Sequence, residues 1–402
     1  MTTRSRQATV LFVSALVVSA IVSVGVGAAV VDAGIVADGN LDRGNNDGQI
    51  GLCQWVAVEE LVVPVDPAQN GFNVEFGRSV AVDGETGVVG TPGFAGVTDA
   101  VYVYDLSTSP TQLRTTLTPT DGAPNDGYGV SVAVSGDTVV VGASAHDAVG
   151  DDAGAVYVSD LTDPTAETKL TAFDGEAGDR FGAAVALDGD TLVVGAPGDD
   201  DGTGAVYRYD LTQSPPTAAK LTASDGEVGD RFGSSVAIAG QTVLVGAPSA
   251  GASGAAYVAD LTDPTAETTL VAADVVESGL VGAAVALSDG TALVGAPGDG
   301  SVHVFDLTAQ PTAAVEVLTD GTGFGGAVAG SGETVVVGSS GAVAIYDLGS
   351  AHPTVPVAEA TGVDDPLFGT FGTSVAVDDR TALVGTAGST VSVSRCVDGQ
   401  EG

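Results

Sequence analysis

A two-part signature recurs seven times along the 402-residue chain with a fixed internal spacing. An aromatic residue and a glycine, or a degenerate form of this pair, are followed 14 residues after the aromatic position by another glycine. In three repeats the second glycine begins a Gly-Ala-Pro triplet, as at Gly195-Ala196-Pro197. The repeats begin at Phe76, Tyr128, Phe181, Phe232, Val281, Phe324 and Phe371. A period near 50 residues is typical of stacked repeat architectures, and the constant internal spacing indicates a rigid hairpin between variable loops.

Residues 181–228 show the strand pattern of one repeat. Two short apolar segments, 184–187 and 191–194, flank a tight turn of the Asp-Gly type. An alternating segment, 205–209, predicts a third strand, and the polar segment 220–223 predicts an outer fourth strand. Four antiparallel strands per repeat are typical of a propeller blade. The sequence therefore predicts an all-β fold, a seven-bladed β-propeller.

The two ends of the repeat region are complementary. The seventh repeat ends after a third strand at 390–396, and an unassigned strand-like segment, 54–65, precedes the first repeat. We predict that residues 54–65 form the outer strand of the last blade and close the ring, which leaves no open sheet edge. This pairing would bring Cys53 next to Cys396, so we predict a disulfide between them; two buried thiols are the alternative.

The charge of the chain excludes one class of partner. Its 52 acidic residues against 12 basic ones give a net charge of −40, which would repel a nucleic-acid backbone.

The same charge bears on the salt concentration in which the chain folds. Self-repulsion of this size is screened at about 1 M salt, where the Debye length is about 3 Å. The composition resembles that of haloarchaeal proteins and predicts adaptation to high salt. An acidic protein in ordinary buffer is the alternative.

The N-terminus predicts export. Arg4 and Arg6 precede an uncharged apolar run, 8–31, that is long enough for a membrane-spanning helix. We interpret residues 1–33 as a signal peptide or a membrane anchor, both of which would export the propeller at 53–402. A buried core helix is the alternative. Residues 34–52 have the composition of a flexible linker.

The paired Phe-Gly and Gly-Ala-Pro elements resemble FG-GAP repeats, the units of the integrin alpha-subunit propeller and of many microbial surface proteins. The resemblance covers residues 54–396. It implies a seven-bladed β-propeller and, by analogy, adhesion or ligand binding at a cell surface. In integrins the hairpin inside the repeat often holds calcium. Here the hairpins are minimal turns such as Asp188-Gly189-Asp190, too short for a calcium loop, so we interpret their acids as solvated and expect no cofactor there.

The loops after the Gly-Ala-Pro position are longer in repeats one to four than in repeats five to seven. Because binding residues usually lie on loops of a rigid scaffold, these loops are the candidate ligand face; neutral variation in loop length is the alternative. The candidate residues are Phe94, His146, Asp147, Asp151, Asp152, Asp199, Asp200 and Asp201. The Asp199–Asp201 run could hold calcium, but its spacing matches no known motif, and a metal site is the less favoured interpretation.

An Asp-Gly-Glu-x-Gly-Asp-Arg element precedes two of the Phe-Gly pairs, at 174–180 and 225–231. One interpretation is a rim that faces a ligand. The other, which we favour, is an arginine that ties the crossover between blades to a neighbouring carboxylate.

The sequence contains no nucleophile elbow, phosphate loop or Cys-x-x-Cys pair, so we predict a protein that is not an enzyme. The leading hypothesis is a cell-surface binding or adhesion module for a surface protein or a glycan. A structural envelope component without a discrete ligand is the main alternative. A metal-dependent exported hydrolase is the third.

Overall fold

The computed structural model describes residues 53–62, 75–93, 99–272, 275–309, 314–321, 323–362, 370–386, 388 and 390–398. These residues form 28 strands in seven four-stranded sheets, with one short helical turn, α1 (Asp199–Gly202). The predicted N-terminal helix and linker, residues 1–52, lie outside the described residues. Within the described part, no helix is long and apolar enough to cross a membrane.

Each of the first six blades contains four consecutive antiparallel strands. Blades one to three are formed by β2 (Ser79–Asp83), β3 (Thr86–Thr91), β4 (Ala100–Asp105), β5 (Gln112–Leu117); β6 (Tyr128–Ser135), β7 (Thr138–Ala143), β8 (Ala155–Asp160), β9 (Asp163–Leu170); and β10 (Ala184–Asp188), β11 (Thr191–Ala196), β12 (Ala205–Asp210), β13 (Thr217–Leu221). Blades four to six are formed by β14 (Ser235–Ala239), β15 (Thr242–Ala247), β16 (Ala255–Asp260), β17 (Asp263–Leu270); β18 (Ala284–Ser288), β19 (Thr291–Ala296), β20 (Ser301–Asp306), β21 (Glu316–Thr319); and β22 (Ala327–Ser331), β23 (Thr334–Ser339), β24 (Ala342–Asp347), β25 (Ala358–Thr361).

The seventh blade closes the ring. Its strand order is β1 (Cys53–Val62), β28 (Thr390–Asp398), β27 (Thr381–Gly385) and β26 (Ser374–Asp378). The first strand of each blade contacts the first strand of the next, and β26 contacts β2. The seven-bladed fold and its closure by an N-terminal strand are confirmed.

The register at this seam places both cysteines on paired strands. Trp55 lies opposite Cys396, and Cys53 lies opposite Asp398. The two cysteines are thus diagonal neighbours across the β1–β28 pair. The backbone arrangement agrees with the predicted disulfide, which stays a prediction. Trp55 is buried in the core of blade seven with Phe371 and Val384.

The repeat signature forms the joint between blades. Within a blade, the amide of the Phe-Gly glycine donates to the carbonyl of the Gly-Ala-Pro glycine, as from Gly182 to Gly195 at 3.0 Å. Gly195 in turn lies against the carbonyl oxygen of Gly233 in the next blade, so closely that a Cβ on Gly195 would overlap that oxygen. The same contact recurs around the ring: Gly90 with Gly129, Gly142 with Gly182, Gly246 with Gly282, Gly295 with Gly325, Gly338 with Gly372 and Gly385 with Gly77. Any larger residue would push the blades apart.

The aromatic half of the signature packs between its own blade and the preceding one. Phe181 is fully buried and meets the Tyr207 ring edge-on, with 5.4 Å between the ring centroids. Phe232 and Tyr257 form the same pair in blade four at 5.5 Å. Such edge-to-face pairs contribute roughly 0.5–1.5 kcal/mol beyond the burial of their area. The aromatic residue therefore anchors the segment that presents the joint glycine.

The minimal hairpins on the opposite face link neighbouring blades. The Oδ2 atom of Asp188 accepts the Gly240 amide of the next blade at 2.6 Å. Asp378 accepts the Gly84 amide in the same way across the seam, also at 2.6 Å. The interpretation of these acids as merely solvated is therefore incomplete, because their carboxylates also hold adjacent turns together. We call this face the turn face; it also carries the connections between the third and fourth strands, of which 348–357 in blade six is the longest that is fully described.

Candidate functional site

The loops that follow the Gly-Ala-Pro position pair with the crossover that leads into the next blade. Parallel bridges join Gly154 to Phe181 and Gly204 to Phe232. We define the loop face by the loops 144–154, 197–204 and 248–254 and the crossovers 171–181 and 222–232. Part of the blade one loop, including Phe94, lies outside the described residues.

Blade two holds an internal polar cluster beneath its long loop. The His146 side chain is 8% exposed, and its Nε2 lies 3.0 Å from the Lys169 Nζ. Lys169 pairs with Asp121 at 2.7 Å, and the Tyr157 hydroxyl donates to the same carboxylate, also at 2.7 Å. The hydrogen bond from Lys169 is the main cause that lowers the pKa of Asp121. His146 therefore belongs to the blade and does not present an isolated ring to solvent.

Blade three holds the equivalent cluster with an aspartate in the place of the histidine. Asp199 is 2% exposed and accepts the Tyr207 hydroxyl at 2.6 Å, while Lys220 Nζ lies 2.8 Å from its other oxygen. Lys220 and Tyr207 also bond to Asp174, at 2.9 and 2.7 Å. Burial opposes the charged form of Lys220, but the hydrogen bonds to Asp199 and Asp174 outweigh it and raise the pKa of the lysine. The Lys220 ammonium thus lies next to the Asp199 carboxylate inside the blade and balances its charge.

The remaining candidate aspartates do not converge. Asp200 and Asp201 are exposed and point from a left-handed turn, with φ of 50° and 60°. Asp147 is exposed, and its carboxylate accepts the Asp152 amide at 2.9 Å. Asp151 is also exposed. In the described ranges, no three His, Cys, Asp or Glu side chains are grouped so as to hold a metal ion.

The crossover elements are held together by their second aspartate. The Asp179 side chain is 5% exposed and accepts the Glu176 amide at 2.7 Å; Asp230 accepts the Glu227 amide at 2.8 Å. Burial raises the pKa of Asp179. The tie that the sequence assigned to the following arginine is therefore made by aspartate.

Arg180 and Arg231 are left with exposed side chains. Their backbones are fixed, because the Arg180 amide donates to the Asp152 carbonyl at 3.1 Å and the Arg231 amide donates to the Gly202 carbonyl at 2.8 Å. Neither guanidinium forms an ion pair with any described carboxylate. Both residues adopt positive φ, 57° and 61°.

These two arginines line one groove of about 640 Å³ at the junction of blades two, three and four. The other lining residues are Asp152, Gly178, Pro197, Gly198, Asp201, Gly202, Gly229, Ser234 and Ser249. Of the candidate ligand residues that the structure describes, only Asp152 and Asp201 line it. The arginines belong to the elements 174–180 and 225–231, for which a ligand-facing rim was the less favoured interpretation; their recurrence at the same position in two adjacent repeats is the signal for that interpretation.

Exposed apolar side chains also lie on the loop face. Phe173 is 65% exposed and Val228 is 73% exposed, and both lie in crossovers. Val149 in the blade two loop is also exposed. Large exposed apolar side chains near unpaired arginines are typical of interaction surfaces.

Comparison with known families identifies three segments, 112–159, 164–209 and 217–259, as matches to the FG-GAP repeat. Each match starts at or near an outer strand and runs through the first three strands of the next blade, so the family unit is offset by one strand from the blade. No curated protein matches the chain. Three matched repeats within a closed ring of seven equivalent blades make this chain an FG-GAP repeat β-propeller.

Proposed function

We propose that this chain is a non-catalytic binding module that is exported to the cell surface and engages a protein or glycan partner in high salt. The observation that carries the proposal is the concentration of exposed Phe173 and Val228 with unpaired Arg180 and Arg231 on the loop face of blades two to four. Aromatic residues and arginine are enriched in interfaces, and arginine is frequent among the residues that dominate binding energy.

The two faces of the ring support this assignment. On the turn face, the short hairpins between the first two strands bond to one another across neighbouring blades. On the loop face, the polar clusters of blades two and three fix the bases of the long loops, so their tips are presented by a rigid scaffold. Binding on such loops is the common use of a stable fold.

Export is supported by the sequence. The apolar run 8–31 after Arg4 and Arg6 fits a signal or an anchor. A Cys53–Cys396 disulfide would suit an oxidising compartment, and the net charge of −40 would suit molar salt. Protease treatment of intact cells tests the location: the full chain should be cleaved without lysis.

The test of binding is capture of partners by cross-linking on intact cells that express the tagged full chain in molar salt. The loop-face variant F173S/V228S should lose its partner. The matched variant L113S/V317S, which alters exposed apolar residues on the outer strands β5 and β21, should retain it. Recovery of bulk envelope by all variants would instead support a structural envelope component.

A further inference from the structure

We propose that the groove between Arg180 and Arg231 is a seat for a carboxylate, either an acidic side chain or a C-terminus, of a protein partner. The choice of a protein partner rests on the proposed function, whereas the carboxylate seat rests on the groove itself. Three features support the seat: the backbone position of the arginines, their charge environment and the residues that line the groove.

The backbone position favours glycine. Arg180 and Arg231 stand directly before the aromatic residue of the repeat, with left-handed φ. The equivalent positions in blades two, five and six are Gly127, Leu280 and Gly323, with φ of 73°, 58° and 81°. A side chain in this region of φ is strained, and Leu280 shows that the strain by itself does not mark a binding site. The fold accepts glycine here, so it does not itself require an arginine in blades three and four.

The charge environment leaves the two arginines without a counter-charge from the described residues. The chain has only 12 basic residues against 52 acidic ones, and both of its lysines form ion pairs within the polar clusters of blades two and three. Arg180 and Arg231 are exposed and unpaired with any carboxylate of the described residues. A guanidinium fork binds a carboxylate through two parallel hydrogen bonds. Because both arginines line one groove, a carboxylate that enters it can pair with a guanidinium.

The groove selects against a polyanion. Asp152 and Asp201 line it beside the arginines and would repel a chain with a charge on every unit. No aromatic side chain lines the groove to stack on a sugar ring. Four glycines do line it, Gly178, Gly198, Gly202 and Gly229, and they leave room for the main chain of a peptide. One carboxylate on a peptide therefore fits better than an acidic glycan.

The test is a titration of the full chain with short peptides, followed through the arginine side-chain NMR signals. The probes are Ac-Gly-Gly-Asp-Gly-Gly-amide for an acidic side chain, Ac-Gly-Gly-Gly-Gly-Gly with a free C-terminus, and the Asn counterpart of the first peptide. We expect one of the two carboxylate peptides to bind at least about tenfold more tightly than the Asn peptide, since a charge-assisted bidentate pair is lost in the latter. The signals of Arg180 and Arg231 should shift.

Variants keep the inference falsifiable. R180G and R231G insert the residue that blades two and six already use, so they should fold, and each should weaken the carboxylate peptide about tenfold. R114Q is the matched control: it removes the same charge from an arginine that pairs with Asp137 on the turn face, and it should leave binding unchanged. Equal binding of the Asp and Asn peptides, or undiminished binding by R180G and R231G, would overturn the proposal. Tighter binding of trigalacturonate than of either peptide would overturn it in favour of an acidic-glycan site.

The same variants separate this inference from the proposed function. If R180G still captures a partner on cells that F173S/V228S has lost, the loop face binds a protein but the carboxylate seat is wrong. If the peptides bind in the groove but no variant alters capture on cells, the seat stands and the proposed binding module is wrong.

Discussion

Blades two and three contain equivalent polar clusters that differ in one buried side chain. Both place a tyrosine and a lysine opposite each other in register, Tyr157 with Lys169 and Tyr207 with Lys220. The difference lies in the buried partner, which is His146 in one blade and Asp199 in the other. Blade four lacks both the buried polar partner and the lysine, because Ala250 and Thr269 occupy the corresponding positions. The lysine thus accompanies a buried polar group and is dispensable where that group is absent.

The comparison also separates structural acids from surface acids. In blade three, the lysine ammonium balances Asp199, which is almost fully enclosed. In blade two, the lysine mainly pairs with Asp121, whose side chain is 51% exposed. A charge that water can reach is inexpensive to leave unpaired, whereas an enclosed one is not. The two lysines should therefore differ in energetic weight.

The largest effect is expected for Lys220→Met. Removing the ammonium leaves the Asp199 carboxylate enclosed without its counter-charge, and breaking a buried pair in this way costs about 3 kcal/mol. Urea unfolding in molar salt measures this free energy. The double variant D199A/K220T, which converts the cluster to the blade four arrangement, should recover most of the loss. A double variant as unstable as K220M would show that Asp199 is not the reason for the lysine.

Lys169→Met should cost less, about 1 kcal/mol, because its carboxylate partner is half exposed and solvent replaces much of the pairing. The same unfolding measurement applies. Thr269→Met changes the equivalent exposed position in blade four and serves as the control, with an expected change within about 0.5 kcal/mol. A K169M loss equal to that of K220M would contradict the difference between the two clusters.

Arg180→Gly should stabilise the fold slightly. The substitution relieves roughly 1–2 kcal/mol of strain from the left-handed backbone conformation. The greater freedom of glycine in the unfolded chain opposes this gain by roughly 0.5–1 kcal/mol. The net gain is about 0.5 kcal/mol, read as a rise in the urea midpoint. An arginine that tied the crossover would give the opposite sign, so destabilisation by R180G would restore the structural interpretation.

The smallest effect concerns acid. Lysine and tyrosine hydrogen bonds, acting against burial in the case of Asp174, lower the pKa of Asp121 and Asp174. A depressed folded-state pKa adds stability above the unfolded value near 3.9, and this stability is lost as pH falls through the folded value. Because both carboxylates are partly exposed, each contribution should stay below about 1 kcal/mol. Comparing unfolding at pH 6 and pH 3, K169M and K220M should each lose less stability than the parent chain.

The ring could be predicted from the sequence because its constraints are local and repeated. The joint glycines are invariant within the chain, since a Cβ would overlap the next blade. The orphan strand at 54–65 and the missing outer strand of the last repeat together required the closure that β1 provides.

The polar clusters could not be predicted in the same way. Lys169 contacts His146 and Asp121, which lie 23 and 48 residues away in sequence, and no local motif links a lysine to partners at these distances. His146 and Asp199 resembled solvent-facing loop residues because no local pattern marks a side chain that turns inward under its loop. The arginines of the groove were missed because the motif that contains them was interpreted as one unit, although its aspartate and arginine have separate roles.

The joint between Gly385 and Gly77 is the same as the six joints inside the chain. The contacts between blades therefore do not depend on which crossover carries the chain ends. A circular permutant that begins at another crossover would keep every blade interface, and duplication of a whole repeat unit during evolution would add a blade without requiring a new kind of contact. The offset of the family unit from the blade by one strand suits such growth, because each added unit completes the blade before it and leaves its own blade to be completed by the next.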